Sequence, residues 1–338
     1  MRDLEPNMER VDHPLRIDED ELVPDNRYNP PSTLVDASFH SMEEVTELTD
    51  SMDWPGEFHQ LSKGLVTSRW RSLSLGDFSL ISHHMDKRFH ARMTAPRGCV
   101  ALAITPPPHL MLVDGLELGN DKALVMDANS EVDFVSPGKT ACTTLVLPES
   151  DFKACGQALF PRFRMRTSGA LTRILQCPSS GWSALQGEMT NLLVNGSVSA
   201  EDLSHLLCRF FDLMAEEPER RQREVSLGNR STGSVARRAQ EYIEDHYSRT
   251  IRMEDLCCCT GVSMSTIRRS FSEYFQVSPF EYVKARRLNA ARQALLAGDY
   301  SRGSVTRIAV ENGFTHLGRF SVEYREHFDE LPKETLAR

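Results

Sequence analysis

The chain of 338 residues is 40 % hydrophobic and 26 % charged, which is long enough for two domains and too polar for a membrane-embedded protein. Its 39 basic and 48 acidic residues leave a formal charge of −9. That balance argues against a uniformly basic nucleic-acid coat and against non-specific binding to anionic membranes, but not against a locally basic face.

The stretch 1–30, rich in Asp, Glu, Pro and Asn, reads as a weakly ordered arm. It has no basic start followed by an apolar core, so no signal peptide is legible, and no apolar run approaches the roughly 20 residues that span a bilayer. The chain is read as cytoplasmic. Ala37 to Met52 is expected to form one helix. From Phe58 to Pro148 the pattern becomes short apolar runs between turn residues: Phe58 to Val66, Phe78 to Ser82, Val100 to Ile104, Leu110 to Val113, Ala123 to Met126 and Cys142 to Leu147. Val113-Asp114-Gly115-Leu116 is a hairpin signal, because Asp-Gly accepts the positive φ of a tight primed turn. Strands at this spacing predict a barrel or sandwich. Helices follow at Glu149 to Leu159, Gly169 to Leu175, Trp182 to Leu193 and Ala200 to Ala215. Packing on their own barrel is favoured over contacts to a second copy. Arg162, Arg164 and Arg166 alternate with Phe163 and Met165, a half-exposed strand in preference to an anion site.

Glu216 to Gly233 carries charges and turn-formers with few large apolar residues, and reads as an exposed linker, drawn at 217–232. It separates unlike parts. From Ser231 onward there are 16 Lys or Arg against 14 Asp or Glu, a balance of +2, and the other 23 basic and 34 acidic residues leave −11 for the preceding part.

The last third holds an internal repeat. Leu256-Cys257-x3-Gly261-Val262-Ser263 lies on Ile308-Ala309-x3-Gly313-Phe314-Thr315, and Phe271-x3-Phe275-x3-Pro279 on Tyr324-x3-Phe328-x3-Pro332. The offset is 52 residues at the front and 53 at the back, so the second copy has one extra residue. Each copy has a short helix, a Gly suited to the left-handed conformation that closes it, and a Ser or Thr (Ser263, Thr315) placed to cap the next helix. These are two helix-turn-helix motifs, at about 253–275 and 305–328, whose second helices suit a major groove. Phe280 to Ala297 joins them as one helix with Val283, Leu288, Ala291 and Leu295 on a face and Gly298 as its stop. At 1.5 Å per residue it is roughly 27 Å long, against about 34 Å for one duplex turn.

These residues resemble the AraC/XylS family of bacterial transcription factors, over roughly Val235 to Leu336. The resemblance rests on Arg287-Leu288-x2-Ala291-Arg292-x2-Leu295, Val305-x2-Ile308-Ala309-x3-Gly313-Phe314 and Phe275-x2-Ser278-Pro279. Within the family, Asp255-Leu256-Cys257, His316-Leu317-Gly318-x-Phe320 and Phe328-x-Glu330-x-Pro332 look most like the regulators of ethanolamine utilisation. The resemblance implies an all-α DNA-binding domain at 233–338 that recruits RNA polymerase. It also implies a β-rich domain at 31–216, a cupin-like barrel or sandwich with appended helices, that dimerises or senses a small molecule. The fold class is therefore α+β. Where the family often has Gly, this chain has Gln276 and Asp329; Asp tolerates the left-handed region better than Gln, so the turn after Phe275 is expected to differ.

By helical spacing Ile267 and Phe271 point inward, leaving Ser265, Thr266, Arg268 and Arg269 outward; Phe320 and Tyr324 leave His316, Leu317, Arg319 and Val322. An Arg fork pairs with guanine or clamps a phosphate, so Arg269 is the favoured base reader with Arg268 near the groove edge. His316, Leu317 and Val322 suit thymine methyl contacts or shape readout. Lys284, Arg286 and Arg307 are candidates for backbone contact. Candidate pocket groups in the β-rich part are Trp70, His84, Phe89, His90 and His109. His83 and His84 face opposite sides of a strand and cannot chelate together.

Three successive cysteines, Cys257 to Cys259, diverge by about 100° each on a helix and cannot converge on one ion. Cys257 takes the buried position, and redox sensing by Cys258 or Cys259 is a minor reading. The others, at Cys99, Cys142, Cys155, Cys177 and Cys208, read as small core residues. No metal-ligand spacing, phosphate loop, nucleophile elbow or dinucleotide fingerprint is present, so no catalytic residue, metal or cofactor is assigned. The function read from the sequence is a sequence-specific, dimeric regulator of transcription, an activator, whose partners are double-stranded DNA and RNA polymerase. Two alternatives stay open: control by a protein partner rather than a ligand, and a repair or modification enzyme docked on DNA, which needs a reactive cysteine.

Overall fold

The computed structural model describes residues 33–54, 56–128, 131–159, 173–176, 179–215, 231–298 and 304–338. The arm at 1–30, the three arginines from Arg162 to Arg166, Cys177 and nearly all of the linker lie outside them.

Two antiparallel sheets make an α+β fold with the helical part at the C-terminal end. Seven strands form the first, in the order β1 (Thr33–Phe39), β3 (Ser68–Leu75), β4 (Phe78–Met85), β11 (Thr140–Pro148), β6 (Cys99–Ile104), β9 (Lys122–Asp127) and β12 (Arg173–Gln176). The second runs β2 (Gly56–Gln60), β5 (Phe89–Met93), β10 (Val132–Ser136), β7 (Met111–Val113), β8 (Leu116–Leu118). Side chains alternate between the faces of every long strand. In the first sheet Trp70, Ile81, Ala101, Ala103, Leu124, Met126, Cys142 and Val146 point toward the second sheet, in one core with Phe58, Phe89, Ala91 and Phe134. Their neighbours Leu73, Leu80, Leu102, Val125, Leu145 and Leu147 point the other way, onto α2 (Glu149–Leu159), α3 (Ser179–Asn195) and α4 (Ala200–Ala215). These helices therefore pack on their own sheet. Phe152 lies 5.2 Å from Phe211, and Trp182 5.7 Å from Phe210, ring to ring.

The outer face of the second sheet is also covered. Leu112 and Val135 share a core with residues of α5 (Ser231–His246), α6 (Met253–Thr260), α7 (Met264–Phe275) and α8 (Pro279–Leu296). A separate cluster joins the far end of α8 to α9 (Ser304–Glu311), α10 (Leu317–Phe328) and α11 (Pro332–Leu336) through Leu288, Ala291, Leu295, Ile308, Phe320 and Tyr324.

Several expectations need correction. Ala37 to Met52 is not one helix: Thr33–Phe39 is an edge strand, and α1 (Met42–Ser51) starts behind the Ser41 cap, whose hydroxyl accepts from the Glu44 N–H. The helix expected at Gly169 to Leu175 includes residues that form β12, where ladder partners on β9 override local propensity. Helix α5 begins inside the expected linker. Gln276 does adopt the left-handed conformation, at φ 58°, as Asp329 does at 61°. The extra residue of the second repeat sits in its turn: α10 starts behind His316, not Thr315, without a side-chain cap bond, whereas Ser263 caps α7 as expected. Cys257 is half-buried rather than buried.

The Asp-Gly hairpin forms as expected. Asp114 and Gly115 have φ of 49° and 76° between the paired Val113 and Leu116. A Cβ on Gly115 would stand 2.6 Å from Cδ2 of Tyr274, at the end of α7, whereas one on Gly98, at φ 71°, would meet nothing within 4 Å. Gly98→Ala should therefore cost about 1 kcal/mol of backbone strain, and Gly115→Ala about 1–3 kcal/mol beyond that, as read by urea unfolding of the two variants.

Candidate nucleic-acid interface and its seat on the β-rich part

Helix α6, the Gly261 turn and α7 form the first corner. Gly261 closes α6 at φ 73°, its N–H donating to the Cys257 carbonyl over 2.8 Å. Ile267, Phe271, Tyr274 and Phe275 are buried, which leaves Ser265, Arg268 and Arg269 exposed and Thr266 half-exposed. The second corner runs α9, Gly313, α10. A Cβ on Gly313 would lie 2.8 Å from the Ser248 carbonyl oxygen, so this turn requires glycine for close approach as well as for its φ of 80°. On α10, Phe320 and Tyr324 are buried and His316, Leu317, Arg319 and Val322 exposed. The inserted residue makes Arg319 the counterpart of Thr266 and Val322 that of Arg269. Arg319 pairs with Glu323 over 2.9 Å, and Arg269 stands 3.9 Å from Glu273, both on the helix surface. Arg307 is exposed and Lys284 half-buried. Arg286 is engaged inside the fold: its Nε lies 2.5 Å from Glu244, and its guanidinium sits over the Tyr247 ring at 4.4 Å. It is not on the exposed face with the other candidates.

Sequence reasoning missed what holds this region. Asp133, on the outer face of β10, is fully buried. Its carboxylate accepts from His90 Nε2 (3.0 Å), Arg92 Nε (3.0 Å), Arg237 Nε of α5 (3.1 Å) and the Tyr274 hydroxyl of α7 (2.9 Å). Burial alone would raise the Asp133 carboxyl, but the hydrogen bond and charge of His90, with Arg92 and Arg237, outweigh it and hold the group well below the carboxylate range. Asp114 accepts from Arg237 over 2.6 Å and from Tyr274 over 3.2 Å, yet its burial dominates and shifts it upward. His90 also meets the Tyr282 hydroxyl through Nδ1 at 3.1 Å and stands edge-on to Phe275 at 5.2 Å. His90 is thus part of the seat rather than of a pocket.

A second set of contacts centres on Gln60, at the end of β2. Its backbone N–H donates to Asn289 Oδ1 (3.1 Å), and its carbonyl accepts from Asn289 Nδ2 (2.9 Å) on α8. Its side-chain amide donates to the His327 carbonyl on α10 (2.7 Å), and His327 Nε2 lies 3.1 Å from the Gln60 carbonyl. Gly64 N–H reaches the Glu326 and His327 carbonyls, and Arg292 of α8 bonds Glu43 of α1 over 3.0 Å.

Between the sheets lies a cavity of about 50 Å³. Trp70 and Phe89 line it as expected, joined by Trp54, Phe134 and four methionines, Met85, Met93, Met111 and Met126. His83 is the histidine in its wall. His84 is exposed on the opposite face of β4, 6.4 Å from His109, so neither reaches the cavity. Among the described residues no Asp, Glu, Lys or Arg lines it, and burial pushes His83 down to about 4. The indole N–H groups of Trp54 and Trp70 are buried and meet no hydrogen-bond acceptor among the described residues. Among the described residues no group of three His, Cys, Asp or Glu is placed to hold a metal ion, and no helix is long and apolar enough to cross a membrane. Cys258 is exposed, and Cys259 is shifted upward by burial.

With this geometry in place, comparison with known proteins defines the class. Residues 256–338 match the family described as a helix-turn-helix domain. The XylDLEGF operon transcriptional activator 2 of Pseudomonas putida is 33 % identical over 100 residues, 30 % of this chain and 64 % of that protein. The HTH-type transcriptional activator RhaS of Klebsiella pneumoniae (strain 342) is 32 % identical over 114 residues, 33 % of this chain and 40 % of RhaS. A crystal structure of a probable AraC family transcriptional regulator from Rhodopseudomonas palustris CGA009 is 37 % identical, covering 31 % of this chain and 96 % of that one, with a TM-score of 0.29. The chain thus spans less than two thirds of the curated relatives it matches. Residues 256–338 thus carry a helix-turn-helix domain, and the C-terminal third is similar to transcription regulators of the AraC/XylS type. Both curated relatives are named as transcriptional activators.

The buried histidines set a pH dependence. Burial pushes His327 down to about 4 and His59 well below its ordinary value. Between the ordinary His327 value of 6.5 and about 4 the unfolded chain binds a proton that the native imidazole refuses, so stability falls as pH falls. Each such histidine should contribute a slope of about 1.4 kcal/mol per pH unit within its window. Urea unfolding at pH 7, 6 and 5 should show the decline, and His327→Gln should flatten it.

Proposed function

We propose that this protein is a sequence-specific DNA-binding regulator of transcription, an activator, with α7 and α10 as the reading helices of two helix-turn-helix motifs. The observation that carries this reading is the registered pair of corners, in which matching inner positions are buried and matching outer positions exposed across both copies. Helix α8, 18 residues long, is the spacer that suits successive major grooves. In this reading 233–338 is the DNA-binding domain and 31–216 the sensor and dimerisation domain. A bacterial dimer on two half-sites gains affinity without new contacts and recruits RNA polymerase. The relatives' names as transcriptional activators support the direction of regulation.

Arg269 reads a base in α7, with Arg268 at the groove edge; Ser265 and Thr266 contribute polar contacts. On α10, His316, Leu317 and Val322 read shape and methyl groups and Arg319 meets phosphate. Lys284 and Arg307 meet the backbone, while Arg286 acts through its bond to Glu244. Against a duplex selected by the full chain from random-sequence DNA, Arg269→Ala should weaken binding about tenfold and relax preference at one base position. Arg319→Ala should weaken all sequences alike and lower the salt dependence. Unchanged binding by Arg269→Ala in a gel-shift titration would remove that assignment, and no sequence preference at physiological salt would remove the regulator reading.

The cavity is the proposed effector site. The described residues of its wall offer neither a cation for a carboxylate nor an anion for an ammonium group, and burying an unpaired charge there is costly. A compact, uncharged, mainly apolar molecule with one hydrogen-bond acceptor for an indole N–H fits this chemistry. A ring-sized molecule enters as the four methionine side chains swing aside. Cyclohexanone should raise the melting temperature of the full chain, cyclohexanecarboxylate should not, and ethanolamine, the arm motivated by the motif resemblance, should not. A rise with ethanolamine alone would replace this reading by the ethanolamine one.

A further inference from the structure

The exposed faces of α7 and α10 belong to helices whose opposite ends are both fastened to one sheet. At the end of α7, the Tyr274 hydroxyl lies 2.9 Å from Asp133 and 3.2 Å from Asp114, and Arg88 Nη1 donates to the carbonyl of Gln276, the residue that closes the helix, over 2.8 Å. At the end of α10, the Gln60 amide and the Gly64 N–H meet the carbonyls of Glu326 and His327 at 2.7–3.1 Å. Between them, Asn289 in the middle of α8 pairs with the Gln60 backbone in both directions. Gln60 and Asp133 stand on strands β2 and β10 of the five-stranded sheet, separated only by β5, with Gln60 paired to Phe89 and Phe89 to Ser136.

Such contacts are a poor source of stability. Removing charged and polar groups from water costs about as much as their pairing returns, and well-packed apolar residues commonly do better. Their use lies in fixing one arrangement among several. Among the described residues the two corners have separate cores, linked along the chain by α8 and touching where the Gly313 turn approaches the Ser248 carbonyl.

We propose that the sheet β2-β5-β10-β7-β8 is a jig that sets the distance and rotational phase between the two reading helices, with Asp133, Tyr274 and Arg88 positioning α7 and Gln60 and Asn289 positioning α8 and α10. These are positioning residues. None lies on the exposed face, and the consequence is a protein selective for the spacing between the base pairs its two motifs read. The inference rests on α7 and α10 being reading helices.

The test uses the full chain and the duplex it selects from random-sequence DNA, against the same duplex with one base pair inserted between the two segments protected in a footprint. One base pair turns the second segment by about 34° and moves it about 3.4 Å. The wild type should lose about tenfold in affinity on insertion, the size of one good base contact. In Tyr274→Phe/Gln60→Met the penalty should shrink to about threefold or less, with weaker binding to the selected duplex, because the second helix is no longer held in phase. Arg88→Met, which frees the Gln276 carbonyl together with that of Pro137, repeats the test at the α7 end in case the double variant fails to fold. An unchanged insertion penalty in folded variants overturns the proposal, as does tighter binding to both duplexes, which would make these contacts inhibitory. A wild type that binds its selected duplex but ignores the insertion also overturns it while leaving the reading helices intact.

Discussion

A carboxylate with no access to water has to be surrounded by donors, and Asp133 obtains them from both halves of the chain. His90 and Arg92 come from the adjacent strand, Arg237 and Tyr274 from helices more than a hundred residues away. Because an unpaired charge in that position is costly, the arrangement of the helices on the sheet is constrained by a chemical requirement rather than by apolar contact alone. Leu112 and Val135 supply the apolar part of the same contact. Around it the rest follows: the Asp-Gly turn must be tight enough to admit the Tyr274 ring, and α5 must present Arg237 and Gln240 on the turns that face β10 and β5.

The layering follows from alternation. The central strands β11, β6 and β9 of the larger sheet are buried on both faces, since helices α2 to α4 cover one and the smaller sheet the other, whereas the edge strand β1 is largely exposed. The smaller sheet differs. Its inner positions are Phe89, Ala91, Met93 and Phe134, while its outer ones include His90, Arg92 and Asp133. Small residues at Ala91, Ala101 and Ala103 leave the space that larger aromatic neighbours enclose.

Local chemistry is legible in the sequence and long-range pairing is not. Gly261 and Gly313 mark the two corners, because a glycine between two helical periodicities closes one helix in the left-handed conformation and lets the chain turn into the next. The buried and exposed positions of α7 follow from its spacing. Glu149–Leu159 and Ala200–Ala215 have the limits that the pattern implies. The extra residue of the second repeat can be counted but not placed, since a threonine beside a turn, such as Thr315, looks the same whether or not its hydroxyl meets an amide. The end of β1 reads as helix because its neighbour in the sheet lies about thirty residues ahead. His83 and His84 must face opposite ways, yet nothing in an isolated strand says which way is inward. Asp133 resembles a solvent-facing residue of an alternating strand, and its partners are single charges scattered along the chain.

Strands β5 and β10 each present two working surfaces. Phe89, Ala91, Met93 and Phe134 form part of the cavity wall, and the residues alternating with them, His90, Arg92 and Asp133, hold α5, α7 and α8. The partition between the enclosed space and the helices is therefore one backbone thick. No position on it can change size against one compartment without pressing on the other, because close-packed interiors pass strain onward rather than absorb it. These two strands are a diaphragm whose two surfaces have to be satisfied by one set of backbone coordinates.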